Sequence, residues 1–390
     1  MTGEMSKARS SRLGRLVLMS LAGLLTVVLG LFALVIAFAG IPYPVSLLTG
    51  VLDRQGLYLI PLGLVALGVA AWTFRGGARR TAIVAGAVAV VATVAACFPL
   101  VASWRAADRY GASLSVASYV RGGDNTGTPV EALSVEYTPG LKLDVKLPAR
   151  PTSGTRPAVV WVHGGGWNLG DRGEAPLWHR WLNDRGYAVF AIDYRLAPPA
   201  RWDQAPGDVR CAVGWVKANA GRYQVDPARV MLAGGSAGGN LALMGAYADD
   251  RVKPSCDVGD TSVLAVAAFY PPSDVAALWR DSGLPSVRGW AENYAGGTPQ
   301  QQPEHYRLAS PVTYVRAGLP PTLLMHGERD HVVPYQQSPE LAAKLAAAGV
   351  PHELVSVPYA EHIFDFAWGS WGTQICRHTL EVFLARYFPA

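Results

Sequence analysis

The sequence is short of charge and of cysteine. Asp, Glu, Lys and Arg make up 16% of its 390 residues, and cysteine occurs four times. Four cysteines in so long a chain exclude a disulfide framework, and none stands in C-x-x-C spacing, which argues against a metal knuckle. Cys97 lies in an apolar run, while Cys211, Cys256 and Cys376 are scattered. If they sit outside the cytoplasm one pair can be bridged, and the sequence does not choose which. Internal repeats and low-complexity tracts are absent. The glycine-rich stretches lack G-x-x-x-x-G-K-[ST] and G-x-G-x-x-G, so a phosphate-binding loop is not expected. The net charge of +5 is unevenly spread: residues 1–110 carry 10 Lys/Arg against 3 Asp/Glu, and residues 111–390 carry 24 against 26. The basic excess belongs to an apolar region, so nucleic acid is not an expected partner.

Half of the chain is apolar, and much of that half lies in three runs without a charged residue, 16–40, 56–74 and 81–104. Each is long enough to cross a bilayer core of about 30 Å at about 1.5 Å per residue. The first resembles a cleaved secretory leader in position. At 25 residues it exceeds a usual leader, and two more runs follow it, so three transmembrane helices are expected. None contains Asp, Glu, Lys, Arg or His, which speaks for anchoring rather than transport. Lys7, Arg9, Arg12 and Arg15 precede the first run, and Arg75, Arg79 and Arg80 fill the turn between the second and third. Only Arg54, Arg105 and Arg109 flank the opposite side. This bias orients the seven toward the cytoplasm and predicts a multi-pass cell-membrane protein with everything beyond about residue 105 outside.

The chain then divides into a membrane part over 1–110, a linker over 111–129 and a globular part over 130–390. Two alternating runs, 130–137 and 141–147, flank Pro139-Gly140 and predict a hairpin. Short continuous apolar runs at 158–162, 188–192, 230–233, 263–269, 322–325 and 353–357 suit strands buried on both faces. Helical patterns lie between them at 177–184, 204–220, 241–248, 340–348 and 374–386. Such alternation predicts an α/β fold with a mostly parallel sheet flanked by helices. The stretch 273–320, rich in Trp, Tyr and Pro, interrupts it as a cap.

Chemistry concentrates at Gly234-Gly235-Ser236-Ala237-Gly238, a G-x-S-x-G match entered from an apolar run and left by a helical one. A strand turning sharply into a helix at a serine lifts the hydroxyl clear of the sheet. Serine needs a neighbouring base, usually histidine held by a carboxylate. After such an elbow the acid comes next in chain order and the histidine last. Asp330 lies on the loop leaving the run 322–325; capping a turn or pairing with Arg329 are its plainer roles, and Glu328 is the nearest rival. Of eight histidines, His362 alone follows the last strand and precedes the final helix. The N–H of Ala237, next after the serine, is a candidate oxyanion donor. A second glycine stretch, His163-Gly164-Gly165-Gly166-Trp167, ends the run 158–162 and stands 73 residues before Ser236, counted from His163.

These motifs together resemble the H-G-G-G group of α/β-hydrolases, the hormone-sensitive-lipase-like and feruloyl-esterase-like carboxylesterases. Asp193-Tyr194-Arg195-Leu196-Ala197-Pro198 is similar to that group's D-Y-R-L-A-P. Tyr294-Ala295-Gly296-Gly297-Thr298-Pro299 with Ala309-Ser310-Pro311, and His362-Ile363-Phe364-Asp365, are similar to its later stretches. The resemblance covers about residues 130–390. It implies an α/β-hydrolase fold with Ser236, Asp330 and His362 as the triad and the N–H groups of Gly165, Gly166 and Ala237 as the oxyanion hole. It implies a serine esterase or lipase acting on a small-molecule or lipid ester, with no metal or cofactor. Gly235 departs from the Asp or Glu of many hormone-sensitive-lipase-like members, which shifts the resemblance toward the feruloyl-esterase-like side. A peptidase or thioesterase on the same triad, or an inactive membrane-tethered binding protein, are the alternatives. Trp167, Trp290, Tyr294 and Trp368 are candidates for core packing or for an acyl pocket.

Overall fold

A computed structural model describes residues 2–38, 45, 47–123, 130–150 and 154–389. The chain forms two compact units, Met1–Asp108 and Arg109–Ala390.

In the first unit, α1 (Thr2–Ala37), α2 (Leu47–Gln55), α3 (Leu59–Arg75) and α4 (Arg79–Tyr110) are helical, with a single 3-10 turn at Gly56–Tyr58. Three segments are long and apolar enough to cross a membrane: Leu13–Ala37, Gly56–Arg75 and Arg79–Tyr110. The expected end of the first run, 39–40, lies outside the described residues. The helix α2 had no counterpart in the apolar pattern. Small residues make the packing seams. Ala82, Ala85, Ala89, Ala92 and Ala96 recur along α4 on one buried face. Two clusters follow that face, Leu29 with Ala66, Ala89 and Ala92, and Ala22 with Ala70 and Ala85. Alanine lets apolar helices approach closely where lipid offers no hydrophobic drive between them.

Within the second unit, the expected linker over 111–129 holds a short helix rather than free chain. Here α5 (Val116–Arg121) is capped by Ser115, whose side chain accepts the Ser118 N–H. Gln374 also bonds both backbone groups of Ser115, and Tyr119 stacks on Trp371 with ring centroids 4.4 Å apart. Residues 124–129 of the expected linker lie outside the described residues.

Then come β1 (Leu133–Thr138), β2 (Leu141–Lys146), β3 (Arg156–Val162), α6 (Pro176–Asp184), β4 (Ala188–Ile192), α7 (Gln204–Ala218), α8 (Ala220–Tyr223), β5 (Val225–Gly235), α9 (Ala237–Tyr247) and β6 (Ala265–Phe269). The cap holds α10 (Val275–Asp281), α11 (Pro285–Ala295) and α12 (Pro303–Leu308). The chain closes with β7 (Thr322–Gly327), α13 (Gln337–Ala347), β8 (His352–Val357) and α14 (Trp371–Tyr387). The eight strands form one sheet in the order β1-β2-β4-β3-β5-β6-β7-β8. The pairs β1–β2 and β2–β4 are antiparallel, and every later pair is parallel. The parallel strands β4 and β6 are buried at every residue, as strands covered by helices on both faces must be. Cys211 of α7 and Cys256 form a disulfide, the pair that the sequence left open.

The strand order has a consequence for function. From β3 the chain steps outward to β4, then returns to the other side of β3 as β5. Loops leaving β3 and β5 therefore diverge at their carboxyl ends and leave a crevice, the place where α/β sheets bind ligands.

Candidate active site

Four loops converge at that crevice, those after β3, β5, β7 and β8. Val162 of β3 pairs with Gly234 of β5, so His163 and Ser236 leave neighbouring strand ends. Ser236 sits on a strained turn, φ 56° and ψ −125°, between β5 and α9. Its N–H donates to Phe269 O at 2.9 Å, which ties the turn to β6. Such a turn needs close backbone approach. A Cβ on Gly238 would collide with the carbonyl oxygens of Val162 and His163, and one on Gly234 with those of Val162 and Gly238. This is the steric reason for glycine at both positions.

Ser236 Oγ lies 2.9 Å from His362 Nε2, and His362 Nδ1 lies 2.7 Å from Asp330 Oδ2. Asp330 comes from the loop after β7 and His362 from the loop after β8, adjacent strands in the sheet. The other carboxylate oxygen, Asp330 Oδ1, accepts the N–H groups of Val332 and Val333, each at 2.8 Å. His326 approaches from the end of β7, with Nε2 3.2 Å from Asp330 Oδ2 and 3.1 Å from Val333 O. Burial of Asp330 opposes its charge, but His362 and His326 overcome this and hold its carboxyl well below the usual range. Burial likewise works against the His362 imidazolium, and Asp330, Glu361 and Asp365 outweigh it and raise its pKa. Glu328 is exposed, and among the described residues the carboxylate bonded to His362 Nδ1 is that of Asp330; Arg329 turns onto the Tyr359 ring, 4.6 Å from its centroid.

The loop after β3 runs through left-handed backbone at Gly165, Gly166 and Trp167, with φ of 100°, 59° and 61°. Among the described residues, no protein acceptor takes the N–H of Gly165, Gly166 or Ala237. Trp167 is buried against Tyr294 in parallel stacking at 4.4 Å, and its Nε1–H donates to Asn240 Oδ1. Trp368 is buried against Trp178. Those three are packing residues. Trp290 alone of the four candidates is half-buried and close to Gly166, where a Cβ would meet its ring at 2.8 Å.

Three functional neighbours escaped the sequence. His326 was visible only as a strand-end residue. Asp365 accepts the hydroxyl of Tyr270 at 2.5 Å and the Nε1–H of Trp178 at 2.8 Å, and burial lifts its pKa. Glu174, in a polar loop, accepts the Gly164 N–H at 2.7 Å.

Fold and site together define an α/β-hydrolase with a serine-based hydrogen-bond chain. The family model BD-FAE matches residues 143–345, just over half of the chain, and the chain belongs to that family. It is 32% identical over 262 residues to the probable carboxylic ester hydrolase LipM of Mycobacterium tuberculosis, covering 65% of this chain and 60% of LipM. It is 33% identical over 261 residues to the esterase LipC of the same organism, covering 63% and 62%. The chain thus spans about 60% of the length of these relatives. Among solved structures, a thermophilic esterase of Thermogutta terrifontis with propionate bound superposes with a TM-score of 0.57 at 26% identity, covering 67% of this chain and 97% of that one.

Proposed function

We propose that this chain is a membrane-anchored serine carboxylesterase or lipase that cleaves carboxylic esters through an acyl-enzyme. The observation that carries this is the unbroken hydrogen-bond chain Ser236–His362–Asp330 beside three amide N–H groups that have no protein acceptor among the described residues. Ser236 Oγ attacks the ester carbonyl carbon while His362 Nε2 takes its proton. The N–H groups of Gly165, Gly166 and Ala237 hold the oxygen that gains charge. The tetrahedral centre collapses as His362 returns the proton to the leaving alcohol. Water, activated by the same imidazole, then releases the acid. Asp330 keeps Nδ1 protonated and stabilises the imidazolium. Trp290, over Gly166, is placed to meet the acyl group. The ester hydrolase and esterase names of the relatives support an ester over other acyl substrates.

The three apolar helices support anchoring, and two independent features support an extracytoplasmic hydrolase unit. One is the seven Lys/Arg on the flank assigned to the cytoplasm. The other is the Cys211–Cys256 bond, a linkage that persists in oxidising compartments. Ser236→Ala in the full-length protein tests the activity, with p-nitrophenyl acetate and butyrate as substrates. A loss of about 10⁴-fold or more is expected with unchanged melting. Retention of more than a few per cent overturns the assignment. Faster turnover of a peptide p-nitroanilide than of either ester transfers it to a peptidase.

A further inference from the structure

Glu174 has no part in the steps above, yet it reaches into the same site. Its Oε2 accepts the Gly164 N–H at 2.7 Å and lies 3.9 Å from His163 Nδ1. A Cβ built on Gly164 would lie 3.1 Å from Glu174 Oε1 and 3.4 Å from Ser236 Cβ. The carboxylate and the serine therefore flank one point. The loop that carries Glu174 is fixed from its other side. Arg172 N–H donates to Asp193 Oδ1 at 3.0 Å, and its guanidinium reaches Asp193 Oδ2 at 2.5 Å and Asp144 Oδ1 at 2.7 Å. Glu174 is thus held in place rather than left to solvent, with 27% of its side chain exposed.

Titratable groups from several loops surround it. His163 faces it from the start of its own loop, the one after β3, Tyr194 from the loop after β4 and Tyr270 from the end of β6. His362 and Asp365 face it from the loop after β8, and Asp171 from its own loop. Burial, and then the charges of Asp365 and Asp171, push its carboxyl up to about 7, against the Gly164 N–H and His362. Both protonation states are therefore populated near neutral pH.

We propose that Glu174 is a positioning residue for ester cleavage, which holds the oxyanion loop through the Gly164 N–H and sets, through its charge, the pH at which His362 becomes a free base. This rests on the function proposed above. An ionised Glu174 favours the His362 imidazolium, so it delays release of the base as pH rises. Its removal lowers the His362 pKa and moves the acid limb of kcat/KM downward. The two groups titrate together, so the parent limb is broader than that of a single proton.

Two substitutions separate positioning from charge. Glu174→Gln keeps an acceptor for Gly164 and removes the charge, whereas Glu174→Ala removes both. Rates with p-nitrophenyl butyrate are compared on the full-length protein, normalised by labelling of the active serine with a fluorophosphonate. In Glu174→Gln the acid limb is expected to fall by at least about 0.5 pH unit, with kcat on the alkaline plateau within about threefold of the parent. In Glu174→Ala, kcat is expected to fall about tenfold with KM changed less than about twofold, because the oxyanion N–H groups lose their fixed aim. A Glu174→Gln limb that superposes on the parent's overturns the charge role. A Glu174→Ala kcat equal to the parent's overturns the positioning role. If melting shows that Glu174→Ala does not fold, Glu174→Gln alone decides. Full activity in Ser236→Ala refutes the underlying function whatever the Glu174 variants do, so the two failures remain distinct.

Discussion

Asp330→Asn replaces one oxygen by an NH₂ group at the most constrained point of the site. Asp330 Oδ1 accepts two backbone N–H groups at 2.8 Å, and Oδ2 faces His362 Nδ1 and His326 Nε2. The asparagine oxygen must stay with Val332 and Val333, since an NH₂ there would face two donors. The NH₂ then points at His362 Nδ1 and makes that atom the acceptor. The proton moves to Nε2, where it faces Ser236 Oγ, and the base can no longer take the serine proton. The same change in the best-studied triad lowers kcat by about 10⁴, and a loss of that order is expected here. His326 Nε2–H, already donating to Val333 O, would face an N–H, which adds a destabilisation of about 1–3 kcal/mol. The pH dependence has a definite sign. The Asp330 carboxyl is depressed on folding, so its contribution to stability is full above its unfolded pKa and is lost as pH falls through the folded value. Asp330→Asn should therefore lower the melting temperature at neutral pH and flatten its decline in acid. Initial rates with p-nitrophenyl butyrate and melting curves across pH measure both. A kcat within about tenfold of the parent, with Glu328→Gln the more damaging change, would refute this geometry and transfer the acid role to Glu328.

Gly238→Ala should abolish soluble, active enzyme, since the new methyl collides with two strand-end carbonyls that cannot move; a destabilisation of at least about 2–3 kcal/mol is expected in thermal melts. Cys211→Ala with Cys256→Ala opens a bridge between residues 45 apart and should cost about 2–4 kcal/mol, read by denaturant unfolding, while kcat changes little. A reporter at the C-terminus should be accessible to protease on intact cells; protection until the membrane is permeabilised would reverse the orientation inferred from the seven flanking Lys/Arg.

What was legible in the sequence follows from how each element is stabilised. The strand β4 is Ala188–Ile192, as its apolar run predicts, because burial on both faces leaves no polar residue to blur the ends. The helix α9 starts at Ala237, four residues before the pattern suggests, since Gly238 and Gly239 are poor helix formers that the elbow nevertheless requires. The strand β5 begins at Val225, before a Pro and two charged residues that conceal it. Ser236, Asp330 and His362 were legible because each occupies a strand end in a fixed chain order. Glu174 and His326 were not. Their partners are a backbone N–H ten residues earlier and a carboxylate on the following loop, and neither relation leaves a spacing to read. The disulfide was undecidable for the same reason: three candidate thiols offered three pairings, and packing selected one.

Gly235 shows how one departure in sequence is absorbed by the surrounding structure. The resemblance leads to an acid at this position in many relatives of the hormone-sensitive-lipase-like kind. Here a Cβ would lie 3.0 Å from the Tyr270 hydroxyl and 3.2 Å from its ring, so that ring occupies the space a side chain would need. Tyr270 in turn packs against His362, with ring centroids 4.5 Å apart, and donates its hydroxyl to Asp365. The acid missing beside the serine in the chain is thus replaced in space by two from other loops. Asp365 stands behind Tyr270, and Glu174 stands across Gly164. Burial raises the pKa of both. At Gly235 the backbone space beside Ser236 is thus given to an aromatic ring, and the nearby carboxyls come from the loops after β3 and β8.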